Sequence, residues 1–244
     1  MSKTINASTL KYWLIIPAAG TGQRMQSCTP KQYLKLAGKT ILEHTLSVFE
    51  PMNQFAQVQL VLSPTDAIWD KLNVQSKLTI NRVDGGAQRY DSVNNAVMDL
   101  DGKAHADDWV FVHDAARPCV SPTEIKSLIE ALQTHPVGGL LGVPVRDTLK
   151  YVNSIHECER TVDRSNLYHA LTPQVFRYAI LRKALAHALS TQLEITDESS
   201  AVEALGLKPK MVLGQATNLK ITTPEDLAFA ELILKERARM GLDV

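Results

Sequence analysis

The sequence predicts an α/β fold, with a mostly parallel β-sheet flanked by helices and a projecting β-arm. Up to residue 144, short apolar segments alternate with amphipathic helical segments, an order that is typical of a parallel sheet with right-handed crossovers. Over residues 144–171 there is no helical stripe, and short alternating segments on either side of Asn153 and Ser154 favour a β-hairpin. We see no repeat, low-complexity tract or linker, so we predict a single domain over residues 1–244 that includes this arm.

The first strand and its following loop are the stretch around which we expect the fold to be organised. Trp13 to Ile16 are apolar and predict a buried strand, which Pro17 ends. The loop over residues 18–22 (A-A-G-T-G) is built of small residues, so its backbone N–H groups can approach a ligand closely. Arg24 and Lys31 then add two cations, and we interpret the stretch as a phosphate site. An ordinary turn with two solvated cations is the alternative.

This loop differs from the two best-known glycine-rich nucleotide loops. A Walker loop requires Lys directly after its last glycine, and Gly22 is not followed by Lys at that offset. The dinucleotide fingerprint requires a third glycine, and Met25 stands at that position. We therefore expect a nucleotide to be held in another way.

The remaining segments are predicted from periodicity and from helix-capping residues. Before the arm they are a helix over 40–49 capped by Thr40, a strand over 58–62, a short helix over 65–71, a strand over 78–83, a helix from Ser92, a strand over 109–112, a helix over 122–134 and a strand over 139–143. After the arm, residues 172–174 re-enter the body, followed by a helix over 176–189, a helix from about Glu198, strands over 209–213 and 218–221, and a last helix capped by Thr223 and ending near Met240. The strand over 109–112 (W-V-F-V) is the most apolar and is predicted to be central.

Two of these strands are followed by residues that could bind a ligand. Gly85 and Gly86 follow the strand over 78–83, and ligands of α/β folds lie at the carboxyl ends of strands; an ordinary strand-to-helix turn is the alternative. Asp114 and Arg117 follow the central strand. The carboxylate is a candidate ligand for Mg²⁺ or a hydroxyl and the arginine for a phosphate, whereas a salt bridge between the two is the alternative. His113 has no accompanying G-x-S-x-G elbow, so hydrolysis by a Ser/His/Asp triad is not predicted.

The arm carries a set of charged and hydroxyl side chains that either face a ligand or form a solvated ribbon. They are Arg146, Asp147, Thr148, Asp163 and Arg164. Because an isolated two-stranded hairpin is only marginally stable in water, we expect the arm to pack on another protein surface, with a second subunit as the candidate.

Composition excludes several classes of function. The formal net charge is zero, which argues against a general electrostatic grip on nucleic acid or on anionic membranes. No apolar run approaches the roughly 20 residues that span a bilayer, and we expect a soluble cytoplasmic protein. Cys28, Cys119 and Cys158 are odd in number and far apart, so we expect free thiols rather than a disulfide framework or a zinc site.

Nine motifs, taken in order, resemble the 2-C-methyl-D-erythritol 4-phosphate cytidylyltransferase family of the non-mevalonate isoprenoid pathway. They are P-A-A-G-T-G-Q-R-M (17–25), P-K-Q-Y (30–33), D-G-G (84–86), V-H-D-A-A-R-P (112–118), P-V-R-D-T (144–148), V-D-R (162–164), L-T-P-Q (171–174), I-T-D-E (195–198) and N-L-K-I-T (218–222) with P-E-D (224–226). Together they extend over nearly the full chain, so the resemblance is far more specific than any single loop.

The resemblance implies a Rossmann-like nucleotidyltransferase fold, a homodimer built through the arm, and Mg²⁺ bound with CTP, without an organic cofactor. It implies transfer of the cytidylyl group of CTP to 2-C-methyl-D-erythritol 4-phosphate, with release of pyrophosphate. The residues implied to be catalytic are Arg24, Lys31, Arg164 and Lys220. Those implied to bind the nucleotide are Ala18, Ala19, Gly20, Gly86, Ser92 and Asp114, the last also near Mg²⁺, and those implied to face the acceptor are Arg117, Thr148, Thr172 and Thr196. Thr148 and Arg164 would reach across from the neighbouring subunit's arm.

The sequence departs from the family pattern at one position and leaves two other functions open. The residue after D-G-G is often acidic in the family and is Ala87 here, which puts a side-chain role in base selection in doubt. A ribitol 5-phosphate cytidylyltransferase shares the fold and the loop and is the alternative enzyme. A non-catalytic nucleotide-binding regulator belongs to a different class, and the joint presence of the four implied catalytic cations disfavours it.

Overall fold

A computed structural model describes residues 10–20, 22, 25, 27 and 29–242 of the chain. The first elements in chain order are β1 (Tyr12–Pro17), a 3₁₀ turn (Lys31–Tyr33), β2 (Lys35–Leu36), β3 (Lys39–Thr40), α1 (Ile41–Phe49), β4 (Phe55–Leu62), α2 (Trp69–Leu72), β5 (Ile80–Asp84), α3 (Arg89–Asp99), β6 (Trp109–Val112), α4 (Pro122–Leu132) and β7 (Gly138–Pro144). They are followed by β8 (Leu149–Val152), β9 (Cys158–Val162), β10 (Tyr168–Arg177), α5 (Tyr178–Ser190), α6 (Glu198–Glu203), β11 (Lys210–Leu213) and α7 (Pro224–Met240).

The central sheet of the described chain has seven strands in the order β11-β7-β10-β6-β1-β4-β5. Strand β6 lies in the middle, as predicted for the apolar stretch over 109–112. The pairs β1·β4, β1·β6, β4·β5 and β7·β11 are parallel, while β10 runs antiparallel to both of its neighbours. The prediction of a mostly parallel sheet flanked by helices is therefore confirmed.

Alternate residues of β1 explain why helices cover both faces of the sheet. Leu14 and Ile16 are fully buried on one face in a cluster with apolar residues of α1 and α4. Trp13 and Ile15 point into a second cluster on the other face, formed with α3, α5 and α6. Because successive side chains of a strand point to opposite faces, a strand buried on both faces must be apolar at every position, as β1 is.

Local capping signals correctly predicted the ends of several helices. Thr40 caps α1, since its hydroxyl accepts the Glu43 N–H at 3.1 Å while the Glu43 carboxylate accepts the Thr40 N–H at 2.6 Å. Thr223 and Asp226 form the same reciprocal cap at the start of α7. Other bounds moved by a few residues: β4 begins at Phe55 rather than Val58, and α3 begins at Arg89 rather than Ser92.

Two segments differ from the sequence prediction. Residues 218–221 do not form a strand; instead the Ile221 N–H donates to the Ala116 carbonyl at 2.8 Å, which joins the segment to the loop after β6. Residues 172–174, predicted only to re-enter the body, belong to strand β10. Pro173 has no N–H to donate to a ladder, and β10 accommodates it where the pairing with β7 shifts register, between Ala170 and Gln174.

The predicted hairpin is present as the antiparallel pair β8·β9, which we call the arm. It is shorter than the predicted 144–171, because Pro144 and residues 168–171 belong to strands of the central sheet. Tyr151, Val152 and Ile155 on the arm are exposed by 51%, 44% and 69%. Separately, no helix in the described part of the chain is both long and apolar enough to cross a membrane.

Candidate functional site

A cleft of about 400 Å³ lies at the carboxyl ends of β1, β5 and β6. Its lining includes eight of the residues that the sequence singled out, namely Ala18, Ala19, Gly20, Lys31, Gly86, Ser92, Asp114 and Lys220. Parallel strands end at the same edge of a sheet, so loops that are far apart in sequence meet there. The cleft is therefore the candidate functional site.

The small-residue loop after β1 is held in place from two sides. The Ala18 N–H donates to the Val61 carbonyl at 2.8 Å, and the side-chain amide of Gln32 donates to the Ala18 carbonyl at 2.7 Å. Both backbone groups of Ala18 are thus used within the fold. A Cβ placed on Gly20 would meet nothing within 4 Å, so the backbone there faces open space in the cleft. Ala18 supports the loop, and Ala19 and Gly20 are the positions that a ligand can approach.

The two glycines after β5 contribute to the turn in different ways. A Cβ on Gly85 would lie 2.5 Å from the Cβ of Ala19, so only glycine lets this turn touch the first loop. The Gly86 N–H donates to the Ser92 hydroxyl oxygen at 3.1 Å, and the Ser92 hydroxyl donates to the Gln88 carbonyl at 3.1 Å. The sequence left open whether this segment is a turn or a ligand site, and the structure shows a braced turn that also lines the cleft.

Asp114 lies at the centre of a cluster of positive charges. Its Oδ1 is 3.0 Å from Nε of Arg89, and its Oδ2 is 2.8 Å from Nζ of Lys220 and 3.6 Å from Nε of Arg117. Burial alone would raise the pKa of the Asp114 carboxyl, but the surrounding cations, Arg89 foremost, hold that pKa well below its usual range. The carboxylate is therefore ionised at neutral pH and the cluster carries an excess of positive charge.

Arg117 lies behind Asp114 and is 8% exposed. Its Nη1 donates to the Asn218 carbonyl at 2.7 Å, whereas its buried Nε has no hydrogen-bond partner in the described chain. At 3.6 Å from Asp114, this Nε makes the ion pair that was the alternative interpretation of the sequence.

A chain of hydrogen bonds connects His113, Thr172 and the backbone of Asp114. The fully buried His113 places Nε2 3.0 Å from the Arg117 carbonyl oxygen, which can only accept, so Nε2 carries the proton. Its Nδ1, at 3.0 Å, then accepts the Thr172 hydroxyl proton. The Thr172 oxygen in turn accepts the Asp114 N–H at 3.1 Å. Thr172 thus holds the Asp114 backbone directly, and the neutral His113 orients the Thr172 hydroxyl.

We expect His113 to make the fold sensitive to acid. Burial lowers the pKa of His113 from 6.5 to about 4. Between these values the unfolded chain binds the proton and the folded chain does not, so stability falls as the pH falls through this window. From pH 7 to pH 4.5, urea unfolding should show that the wild type loses about 2–3 kcal/mol more than the variant His113→Asn. Equal losses in the two proteins would contradict this prediction.

Other predicted site residues lie away from the cleft lining. Thr196 is exposed just before α6, and Thr148 and Arg164 are exposed beside the arm. The Arg164 guanidinium donates to the backbone carbonyl of Arg146. Arg24, the remaining predicted cation, lies outside the described residues. The structure therefore brings together the nucleotide candidates with Lys31 and Lys220, but not the arm residues.

Sequence reasoning missed three residues of the cleft region: Gln32, Arg89 and Glu198. Arg89 lines the cleft, and its guanidinium contacts the buried Glu198 at 2.7 Å as well as Asp114. Glu198 was quoted in the I-T-D-E motif but was assigned no role beyond the start of a helix. A pair that is 109 positions apart in sequence leaves no periodic signal. Gln32 could have been noted, because it stands beside Lys31 in the P-K-Q motif.

The residues that line the cleft can hold a divalent cation only if a bound ligand supplies further oxygen atoms. No group of three or more His, Cys, Asp or Glu that could hold a metal occurs in the described part of the chain. Asp114 is the only acidic residue among the described residues that line the cleft. Mg²⁺ commonly takes one or two protein carboxylates and completes its shell with substrate phosphate oxygens and water. One carboxylate therefore suits Mg²⁺ that arrives with a phosphate-bearing ligand.

Known proteins resemble this chain over nearly its whole length. The family model described as IspD, 2-C-methyl-D-erythritol 4-phosphate cytidylyltransferase, matches residues 12–236. A relative of that name from Pseudoalteromonas atlantica is 45% identical over 229 residues, which are 94% of this chain and 97% of the relative. One from Vibrio vulnificus is 46% identical over 220 residues, 90% of this chain and 93% of the relative.

Solved structures agree with the sequence relatives. A crystal structure of 4-diphosphocytidyl-2C-methyl-D-erythritol synthase has a TM-score of 0.80 at 38% identity, and the match covers 93% of this chain and all of that one. The 2-C-methyl-D-erythritol 4-phosphate cytidylyltransferase of Francisella tularensis also has a TM-score of 0.80 at 38% identity, over 91% of this chain and 99% of that one. The likeness therefore includes the strands that carry the cleft.

Proposed function

Since the chain belongs to the 2-C-methyl-D-erythritol 4-phosphate cytidylyltransferase family, we propose a mechanism in which the cleft described above binds CTP. The chain is a cytidylyltransferase of isoprenoid precursor biosynthesis. It transfers the cytidylyl group of CTP to 2-C-methyl-D-erythritol 4-phosphate, which gives 4-diphosphocytidyl-2-C-methyl-D-erythritol and pyrophosphate. The observation that carries the mechanism is the cleft itself, where small backbone loops and the cations Lys31 and Lys220 face the same space.

The reaction requires two anions to meet. A phosphate oxygen of the acceptor attacks the α-phosphorus of CTP in line, and pyrophosphate leaves. Such transfers need little covalent help, so positioning and charge stabilisation supply most of the rate enhancement. We propose that Arg24, Lys31 and Lys220 offset the repulsion between the two substrates and the charge that develops at phosphorus. Lys220 is 37% exposed and only one side of it faces Asp114, so its ammonium group can also meet a phosphate.

The nucleotide is proposed to lie against the two glycine turns. Ala19, Gly20 and Gly86 line the cleft with little or no side chain, and Ser92 braces the second turn by accepting the Gly86 N–H. Ala18 keeps the first loop in place. At Ala87 no acidic side chain is present to read the base, so recognition there would have to use the backbone.

Asp114 is proposed to bind Mg²⁺ or a ribose hydroxyl through the oxygen that faces the cleft. Mg²⁺ bound with CTP would neutralise triphosphate charge and hold the phosphate oxygens in position. The protein's own part is to present a fully ionised carboxylate there, which its cationic neighbours ensure. No organic cofactor is part of this mechanism.

The acceptor is proposed to bind between this cleft and a neighbouring subunit's arm. Arg117 is proposed to attract the acceptor phosphate through its charge, since its Nε is buried against Asp114. Thr196 is proposed to contact the acceptor, and Thr172, whose hydroxyl already bonds to His113 and the Asp114 N–H, to support the same side. Thr148 and Arg164 are exposed and do not line the described cleft of their own chain, which supports a role in the neighbour's site. The exposed apolar side chains of the arm support a homodimer in which the arm is covered.

The activity is tested by measuring pyrophosphate release with purified protein and each of the four nucleoside triphosphates. The acceptor is 2-C-methyl-D-erythritol 4-phosphate or ribitol 5-phosphate. We expect release only with CTP, 2-C-methyl-D-erythritol 4-phosphate and Mg²⁺. Faster pyrophosphate release with ribitol 5-phosphate would identify that compound as the acceptor instead. Binding of CTP without release under any condition would indicate a nucleotide-binding regulator.

The shared site makes a second prediction. Arg164→Ala and Lys31→Ala each disable both sites of their own homodimer, but in a mixed dimer the two changes fall in the same site if the arm serves the neighbour. One site of each mixed dimer then keeps both residues. We therefore expect mixed dimers to regain activity that neither parent has, at most half that of the wild type per dimer. Mixed dimers of verified composition that stay as inactive as the parents would contradict a shared site.

We also propose that the enzyme is cytoplasmic. The exposed thiol of Cys158 forms no disulfide, as is typical of a reducing compartment; Cys28 lies outside the described residues. Cell fractionation with an antibody to the chain tests this location.

A further inference from the structure

We propose that Arg89 is a positioning residue that, held by Glu198, decides which oxygen of Asp114 meets the nucleotide. This inference rests on the proposed function, because it deepens the part assigned there to Asp114. The side chains concerned come from three elements that follow different strands: Arg89 starts α3, Asp114 follows β6 and Glu198 starts α6. Their meeting point is one wall of the cleft.

The Arg89 guanidinium joins two carboxylates at once. Nε lies 3.0 Å from Oδ1 of Asp114, while Nη1 and Nη2 lie 2.7 Å and 3.2 Å from the two oxygens of Glu198. A guanidinium is planar and its donors have fixed directions, so satisfying Glu198 with one edge determines where Nε points. A lysine could make one of these contacts but not all three.

Glu198 is a rigid support for this arrangement. It is 1% exposed, so its charge requires a partner. The start of α6 is fixed by the buried Gln174 of β10, whose amide donates to the Asp197 carboxylate at 2.8 Å and accepts the Ser199 N–H at 2.8 Å. The position of Glu198, and through it that of Arg89, is therefore set by the central sheet.

The consequence for Asp114 is that its two oxygens become unequal. Arg89 occupies Oδ1, so the plane of the carboxylate is fixed and Oδ2 faces Lys220 in the cleft. Without Arg89 the carboxylate could rotate about its last bond. Lys220 and Arg117, which both contact Oδ2, would accept either oxygen and so would not determine which one a metal or a ribose hydroxyl meets. Loss of this orientation reduces ligand affinity and turnover without removing any group that touches the ligand.

The same pair links the two halves of the site. Thr196, a proposed acceptor residue, lies two positions before Glu198. We therefore expect a shift of the start of α6 to move Arg89 and, through its contact, Asp114 on the nucleotide side. A salt bridge that only stabilises the fold is not expected to change the binding of both substrates.

The experiment compares Glu198→Gln, Arg89→Lys and the double variant with a matched control. Arg82→Gln removes another arginine from the same region, one that pairs with the exposed Asp70 at 3.2 Å. Calorimetry gives the affinity for CTP with Mg²⁺ and with EDTA, steady-state assays give kcat and both KM values, and urea unfolding reports the fold. We expect each single variant to lose about 10–100-fold in CTP affinity or kcat. The double variant should lose no more than the more strongly affected single variant. The control should stay within about twofold of the wild type.

The calorimetric titrations with Mg²⁺ and with EDTA also distinguish what Asp114 binds. If the variants lose CTP affinity only in the titration with Mg²⁺, Arg89 orients Asp114 toward the metal. If they lose it equally with Mg²⁺ and with EDTA, Arg89 orients Asp114 toward the ribose. Either result supports the positioning role. Folded single variants that bind CTP and turn over like the control, or a double variant whose losses multiply, would overturn it. If Glu198→Gln fails to fold, Arg89→Lys decides alone. A wild type that binds CTP but releases no pyrophosphate refutes the proposed function, whereas the affinity comparison still tests the positioning.

Discussion

Replacing Lys31 with alanine is expected to lower turnover by about 10²–10³-fold, the effect of removing one preorganised donor to the transition state. Lys31 lines the cleft at the 3₁₀ turn after the first loop. Gly22 has φ +66°, and a Cβ there would lie 2.6 Å from the Cβ of Lys31. Gly22 and Lys31 are thus packed against each other, which holds the lysine at the cleft.

The measurement is kcat and kcat/KM with saturating CTP, accompanied by urea unfolding. Lys35→Ala is the matched control, because Lys35 is exposed on β2 four residues later and does not line the cleft. We expect the control to behave as the wild type and both variants to keep the wild-type unfolding midpoint. A change of only a few-fold in Lys31→Ala would remove this residue from the catalytic set.

Replacing Asp114 with asparagine is expected to reduce both activity and stability. Asparagine keeps the shape but removes the negative charge that Arg89, Lys220 and Arg117 share. Breaking a buried ion pair by neutralising one partner costs about 3 kcal/mol or more of unfolding free energy. Without its carboxylate, the cleft should also lose its affinity for Mg²⁺ bound with CTP, and we expect turnover to fall by about 10²-fold or more.

Urea unfolding at pH 7 and steady-state kinetics over a range of Mg²⁺ concentrations provide the measurement. Asp70→Asn is the control, since Asp70 pairs with Arg82 at the surface and is 72% exposed; its loss should cost under about 1 kcal/mol. If Asp114→Asn proved as stable and as active as this control, the charge cluster would have no part in binding or catalysis.

Predictions from sequence were accurate where the signal is local. The cap at Thr40 and the cap at Thr223 depend on residues three positions away, and both are present in the structure. The apolar strand over 109–112 was correctly placed at the centre of the sheet, because a strand that is buried on both faces has no polar side. The resemblance to a family predicted the fold for the same reason: its motifs are short strings that follow strands in a set order.

Predictions failed where the partner is remote. Residues 218–221 have the composition of a strand but their partners are Ala116 and Thr172, which lie in a loop and beside a proline. Strand β10 was missed because Pro173 interrupts its pattern, and only the register shift against β7 shows how the sheet tolerates it. Periodicity describes which side of a segment is buried, not which segment buries it.

The sequence by itself determined the family, the reaction, the order of most strands and helices, and eight of the residues that line the cleft, because each depends on a short motif beside a strand end. Only the tertiary structure decided how the polar groups are arranged: that Asp114 is shared by three cations, that Thr172, itself oriented by His113, holds its backbone, and that Arg89 joins it to Glu198. The physical reason is that electrostatic and hydrogen-bond energies depend on distances of about 3 Å between side chains. Those distances are set when the sheet aligns its strands and brings loops from remote parts of the chain to one edge.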